Sequence, residues 1–125
     1  MAPENTTAPA GLESDRRGYW DEMESQYDRS EIHNTLGLSL QIPRAGESVV
    51  TYDGSPGATN RRGNPAGGAI AEMLDSAVVM ASRTLLGPED FTTTLELKVN
   101  YIRSAQPGTP VKAVGVIEHA GKSTA

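Results

Sequence analysis

Residues 60–86 read NRRGNPAGGAIAEMLDSAVVMASRTLL. A glycine-rich turn, Gly63 to Gly68, leads here directly into an apolar segment of about five helical turns. At about 100° per residue, the apolar side chains form one broad stripe: Ile70, Met73, Leu74, Ala77, Val78, Ala81 and Leu85. A helix this apolar is normally enclosed by other structure, so the stretch predicts a central buried helix, which ends at Gly87-Pro88.

Two features of this helix carry chemistry. Asp75 lies on its flank, where a carboxylate must be paired, protonated or used. Gly67 and Gly68 expose backbone N–H groups at the positive end of the helix, where an anion or a developing oxyanion is stabilised. Taken alone, the glycine pair is more typical of a tight turn, and Asp75 of an ion pair with an arginine such as Arg83.

The composition excludes several classes of protein. With 125 residues, the chain forms one domain. The formal net charge of −5 argues against a nucleic-acid binder. There are no cysteines and only two histidines, so thiolate chemistry is excluded and a metal site is not expected. The sequence contains neither a membrane span nor a signal peptide, which predicts a cytoplasmic protein without a membrane partner.

The N-terminal region divides into two parts. Residues 1–14 are rich in Ala, Pro, Thr and Glu without apolar periodicity, and we interpret them as a disordered leader. Residues 15–32 predict an amphipathic helix packed on the body of the fold. Residues 15–125 then form the single domain.

Alternating apolar residues predict the strands. The pattern covers residues 36–42, with a shorter strand at 48–52 and long strands at 91–102 and 111–117. Residues 53–65 are a loop rich in Gly, Pro, Asn and Ser, and Ala120-Gly121-Lys122 predicts a hairpin turn. The fold class is therefore α+β, with an antiparallel sheet curled around one long central helix.

Three segments resemble the hotdog-fold acyl-CoA thioesterases, in particular the phenylacetate-degradation (PaaI-like) group. They are the pattern N-x-x-G-x-x-A-G-G-A-I-A-x-x-L-D at residues 60–75, TTLELKVNYIRSA at 93–105 and VIEHAGKSTA at 116–125. The resemblance covers about residues 36–125. It implies a hydrolase that splits an acyl-CoA into a carboxylic acid and free coenzyme A.

The resemblance also implies residue roles. Gly67 matches the glycine whose N–H polarises the thioester carbonyl, and Asp75 matches the carboxylate that activates water or attacks the acyl group. Asn60 matches an asparagine that places water or substrate, although asparagine is also a common turn former. Thr93 falls where the family often has a hydroxyl beside the carboxylate. The site lies across a dimer interface, so a homodimer or homotetramer is implied.

Coenzyme A is part of the substrate, and no metal or redox cofactor is implied. Its phosphates require positive charge. Besides Gly68 at the helix start, the candidates for binding the coenzyme are Arg61, Arg62, Arg103 and Lys122.

Two departures from the family keep other interpretations open. Many relatives have His immediately before the glycine pair, where this chain has Ala66. The family also continues for two further strands after residues 116–125, so we expect the final strands of the domain to be missing. Both departures favour a non-catalytic acyl-CoA-binding or assembly protein, or an incomplete domain. A hotdog dehydratase or hydratase is disfavoured because His33 and His119 lie outside the helix region.

Overall fold

The computed structural model describes residues 10–125, and its helices depart from the prediction at the N-terminus. Helix α1 spans Ala10–Gln26, a 3-10 turn spans Tyr27–Arg29, and α2 spans Glu31–Leu36. The expected leader is therefore wrong for residues 10–14, which are helical, and its first nine residues lie outside the described part. The expected single helix at 15–32 is two helices, because the chain becomes extended at Ser30 between them.

The sheet contains three antiparallel strands in the order β1-β2-β3. Strand β1 spans Leu38–Gln41, β2 spans Glu47–Tyr52 and β3 spans Val111–Val116. The alternation that predicted β1 and β2 is also their burial pattern, since every second residue is buried. These three predicted strands are confirmed, although Leu36 belongs to α2 rather than to β1.

Helix α3, Gly67–Arg83, packs against β2 and β3 through small side chains. Its buried residues form one stripe: Ala69, Met73, Ser76, Ala77 and Ala81. Gly115 of β3 lies directly against the backbone at Ala77, whose carbonyl accepts a hydrogen bond from the Ser48 hydroxyl at 2.6 Å. The expectation that α3 is enclosed all round is wrong for this chain, because Val78 is 39% exposed and the sheet covers one side of the helix.

The N-terminal helices cover a second flank of α3. Trp20, Met23 and Tyr27 are buried in the core, and the hydroxyl groups of Tyr27 and Ser76 are 2.6 Å apart. The ring of His33 stacks on Tyr27 at 4.0 Å, and its Nε2 lies 3.3 Å from a carboxylate oxygen of Glu72 on α3. These contacts fix α1 and α2 to the central helix. No helix within residues 10–125 is long and apolar enough to cross a membrane.

The predicted strand at residues 91–102 is wrong as a member of the sheet. The segment has no regular secondary structure and bends at Leu95, and its backbone pairs with no strand in the described part of the chain. Strand β3 is consequently an edge strand, paired only with β2. The alternating pattern predicts an extended segment, whereas membership of a sheet also requires a neighbour that supplies backbone donors and acceptors.

Candidate functional site

Asp75 projects from the part of α3 that the sheet does not cover. The residue is half-buried and forms no ion pair within residues 10–125. Arg83, the partner considered in the alternative interpretation, donates a hydrogen bond to the Tyr19 hydroxyl at 3.3 Å instead. Within residues 10–125, no cationic side chain therefore pairs with the Asp75 carboxylate.

The hydroxyl beside this carboxylate belongs to Thr94. Its Oγ1 donates a hydrogen bond to Oδ1 of Asp75 at 2.6 Å. Sequence reasoning placed that hydroxyl at Thr93, one residue earlier. A functional role for Thr93 stays a prediction, while the observed contact is made by its neighbour.

The segment bends at Leu95, just after the two threonines. Successive side chains of an extended segment point to opposite sides, so a local bend changes which of them face the helix. Before the bend the even-numbered Thr94 contacts α3, and after it the odd-numbered Tyr101 does. Leu95 is 83% exposed, whereas Leu97, two residues further along, is 43% exposed.

The first turn of α3 supplies backbone donors. Ala66 occupies the N-cap position without a side-chain hydrogen bond, and both Gly67 and Gly68 are exposed. The first N–H groups of a helix have no partner within the helix, so this turn presents amide donors at its positive end. The Tyr101 hydroxyl donates to the carbonyl of Gly67 at 2.7 Å. Sequence reasoning missed this contact because the alternating pattern marked Tyr101 only as an apolar residue of a strand.

Asn60 organises the loop that leads into α3. Its Oδ1 accepts hydrogen bonds from the backbone N–H groups of Arg62, at 2.9 Å, and Asn64, at 3.3 Å. Its own backbone N–H donates to the carbonyl of Asn64 at 2.8 Å. The turn-forming role considered for Asn60 is thus observed, and a role toward substrate stays a prediction.

The predicted site residues do not converge within one chain. Gly67 and Asp75 are eight residues apart on one helix, which places them about 12 Å apart at 1.5 Å per residue. One carbonyl group cannot contact both at hydrogen-bond distance. The four candidate phosphate-binding side chains are exposed, namely Arg61, Arg62, Arg103 and Lys122.

The structure thus places a central helix on an antiparallel sheet, as in hotdog folds, with donor amides at the start of the helix and Asp75 further along. The sequence model of the thioesterase superfamily matches residues 63–125. The chain belongs to the thioesterase superfamily. The matched residues include α3 with Asp75, and β3, whereas Asn60, Arg61 and Arg62 precede the matched segment.

Two solved structures share this fold. The Escherichia coli PaaI protein of the phenylacetic acid degradation operon superposes with a TM-score of 0.70 at 19% identity, covering 85% of this chain and 75% of that chain. The phenylacetic acid degradation-related protein of Ralstonia eutropha JMP134 gives 0.65 at 26% identity, covering 78% and 79%. A search of curated proteins found no match. The predicted PaaI-like hotdog fold is confirmed.

Proposed function

We propose that this protein is an acyl-CoA thioesterase, which hydrolyses the thioester of an acyl-CoA to a carboxylic acid and free coenzyme A. The observation that carries the proposal is the half-buried carboxylate of Asp75, free of any ion pair and bonded to the Thr94 hydroxyl on the central helix of a thioesterase-superfamily chain. A carboxylate in that state can act as a general base.

The chemistry uses Asp75 and the first turn of α3. Asp75 takes a proton from a water molecule as the water oxygen bonds to the thioester carbon. The carbonyl oxygen then carries negative charge, and the N–H of Gly67 stabilises it. Collapse of this intermediate breaks the C–S bond, and the proton passes to the leaving sulfur. Removing one such preorganised donor typically lowers kcat by about 10²–10³.

The separation along α3 leads us to place the reaction between two copies of the chain. Asn60 and Gly67 of one subunit face Asp75 of the second subunit, together with its Thr93–Thr94 pair. This arrangement resolves the distance of about 12 Å that separates Gly67 and Asp75 within one helix. The assembly is therefore a homodimer, or a homotetramer built from such dimers.

Arg61, Arg62, Arg103 and Lys122 are the proposed contacts for the phosphates of coenzyme A. Each is exposed and forms no ion pair within residues 10–125, so each is available to an anionic ligand. Gly68 is also a proposed substrate contact, because its N–H adds a second donor beside Gly67 for the carbonyl oxygen of the thioester. The proposed reaction requires no metal or redox cofactor, and we place it in the cytoplasm, where acyl-CoA substrates are available.

The test is release of free thiol from a panel of short, medium, long-chain and aryl acyl-CoAs. We expect turnover by the native chain and loss of at least about 10²-fold in Asp75→Asn, which keeps the size of the side chain but removes the base. Asp15→Asn, an exposed change on α1, is the matched control and should retain full activity. Circular dichroism and gel filtration establish that each variant is folded and assembled.

A second function is favoured by one observation at the N-cap. Ala66 supplies no polar side chain at the start of α3, so this position contributes no hydrogen-bonding side chain to catalysis. The alternative is an acyl-CoA-binding or assembly protein. Folded, dimeric protein that binds acyl-CoA with equal affinity before and after Asp75→Asn, and releases no thiol, would establish this alternative and exclude the thioesterase.

A further inference from the structure

The residues at the start of α3 contribute no side-chain hydrogen bond that would order its first turn. Ala66 makes no side-chain cap, and the next two residues are glycines, the residue with the greatest backbone freedom. In most helices a Ser, Thr, Asp or Asn side chain at the N-cap orders the first turn. The helix itself orients the N–H of Gly67, because the Ala66 carbonyl on the same peptide unit accepts from the Ile70 N–H at 3.1 Å. No side chain of this turn adds a hydrogen bond to it.

Tyr101 supplies a hydrogen bond to this turn from residues 91–102. Its hydroxyl donates to the Gly67 carbonyl at 2.7 Å, and its ring atoms lie 3.7 Å from the position that a Cβ on Gly67 would occupy. The hydroxyl thus holds the Gly67 carbonyl, and the ring lies beside the same residue.

A peptide unit is planar, so the direction of a carbonyl fixes the direction of the N–H on the same unit. The carbonyl of Gly67 shares its peptide unit with the N–H of Gly68. A hydrogen bond accepted by that carbonyl also polarises the unit and strengthens the N–H as a donor.

We propose that Tyr101 is a positioning residue, which orients and polarises the amide donor at Gly68, beside that of Gly67, for the thioester oxygen. This inference rests on the proposed function for its consequence in catalysis. Its structural content, the state of the Gly68 amide, does not depend on that function. Tyr101 itself touches Gly67 and not the reacting atoms.

The test compares Tyr101→Phe with native protein by NMR of the backbone amides and by kinetics. Phenylalanine keeps the ring against Gly67 and removes only the donor. We expect the Gly68 amide proton to move upfield, kcat to fall about 3–10-fold, and KM to stay within twofold, because the interaction acts on the oxyanion more than on the bound substrate. Tyr19→Phe, which removes the hydroxyl bonded to Arg83, is the matched control and should change neither Gly68 nor kcat.

An unchanged Gly68 resonance in Tyr101→Phe overturns the proposal, whatever happens to the rate. An unchanged kcat with a shifted resonance overturns the catalytic part of it. Absence of turnover in the native protein would contradict the proposed function instead. The Gly68 resonance then still decides whether Tyr101 orients this peptide.

Discussion

The hydroxyl of Thr94 donates a hydrogen bond to Oδ1 of Asp75 at 2.6 Å, and so links residues 91–102 to the central helix. The backbone of residues 91–102 pairs with no strand in the described part of the chain. Thr94 and Tyr101 therefore connect this segment to α3 at the two places where the proposed chemistry occurs. The same stretch of chain thus forms hydrogen bonds both to the carboxylate of Asp75 and to the residue that begins α3.

Loss of the Thr94 hydroxyl should lower kcat more than loss of the neighbouring Thr93 hydroxyl. Thr94→Val keeps the side-chain shape and removes the donor to Asp75. We expect kcat to fall about 3–10-fold, the usual range for one partly exposed hydrogen bond. Thr92→Val, an exposed change two residues earlier, is the matched control and should stay within twofold of native activity. A larger loss in Thr93→Val than in Thr94→Val would instead support the role that the family resemblance gives to Thr93.

Asn60 can be tested for its two roles with two substitutions. Asn60→Ala removes the oxygen that accepts from the backbones of Arg62 and Asn64, and should lower the free energy of unfolding by about 1–2 kcal/mol. Asn60→Asp retains an acceptor oxygen and should keep most of that stability. If Asn60 also places substrate through its amide N–H groups, Asn60→Asp should lose turnover. Denaturant unfolding and thiol release separate the two results, and full activity in Asn60→Asp would leave only the turn-forming role.

Two glycine-to-alanine substitutions, one at the contact between β3 and α3 and one on α1, should change the stability of the fold in opposite directions. A Cβ at Gly115 would overlap the carbonyl of Ala77 and lie 3.0 Å from the backbone nitrogen of Val78, so neither neighbour can move aside without disturbing the helix. We expect Gly115→Ala to destabilise the fold by about 2–4 kcal/mol. A Cβ at Gly18 meets nothing within 4 Å, and Gly18→Ala should stabilise α1 by about 0.5–1 kcal/mol. Thermal unfolding measures both, and equal shifts in the two variants would contradict the packing described for β3.

Tyr27 predicts a loss of stability at high pH. Burial raises the pKa of Tyr27 to about 12, with the Ser76 hydrogen bond opposing the shift and the Glu72 carboxylate adding to it. In the unfolded chain the phenol ionises near its ordinary value of about 10, so between pH 10 and 12 the unfolded state loses a proton that the folded state retains. The free energy of unfolding should fall by about 2–3 kcal/mol across that interval. Below pH 10 this contribution is constant.

The control for this titration is the double variant Tyr27→Phe/Ser76→Ala, which removes both partners and leaves neither hydroxyl buried alone. Its unfolding free energy should decline less steeply between pH 10 and 12 than that of the native protein. Parallel curves for the two proteins would show that Tyr27 ionises over the same pH range in the folded and the unfolded state.

Much of the fold could be predicted from local pattern. The apolar stripe of α3 and the alternation in β1, β2 and β3 were readable because each depends on the periodicity of a short segment. The predicted hairpin turn at residues 120–122 is wrong, because no strand follows it in the described part of the chain. The alternation at residues 91–102 was equally clear, yet within residues 10–125 this segment joins no sheet. Strand pairing also requires a second segment that supplies backbone donors and acceptors, and the pattern within residues 91–102 cannot predict whether such a segment lies beside it.

The site shows the same division at the level of single residues. The sequence by itself determined that Asp75 lies on the flank of an apolar helix and that glycines open that helix, since both facts follow from helical periodicity and composition. Tertiary structure alone decided that Thr94 rather than Thr93 reaches Asp75, and that Tyr101 reaches Gly67. The physical reason is that both contacts join segments distant in sequence, and the chain bends at Leu95 between them. A local change of backbone direction leaves no periodic signal, so only the packed chain records it.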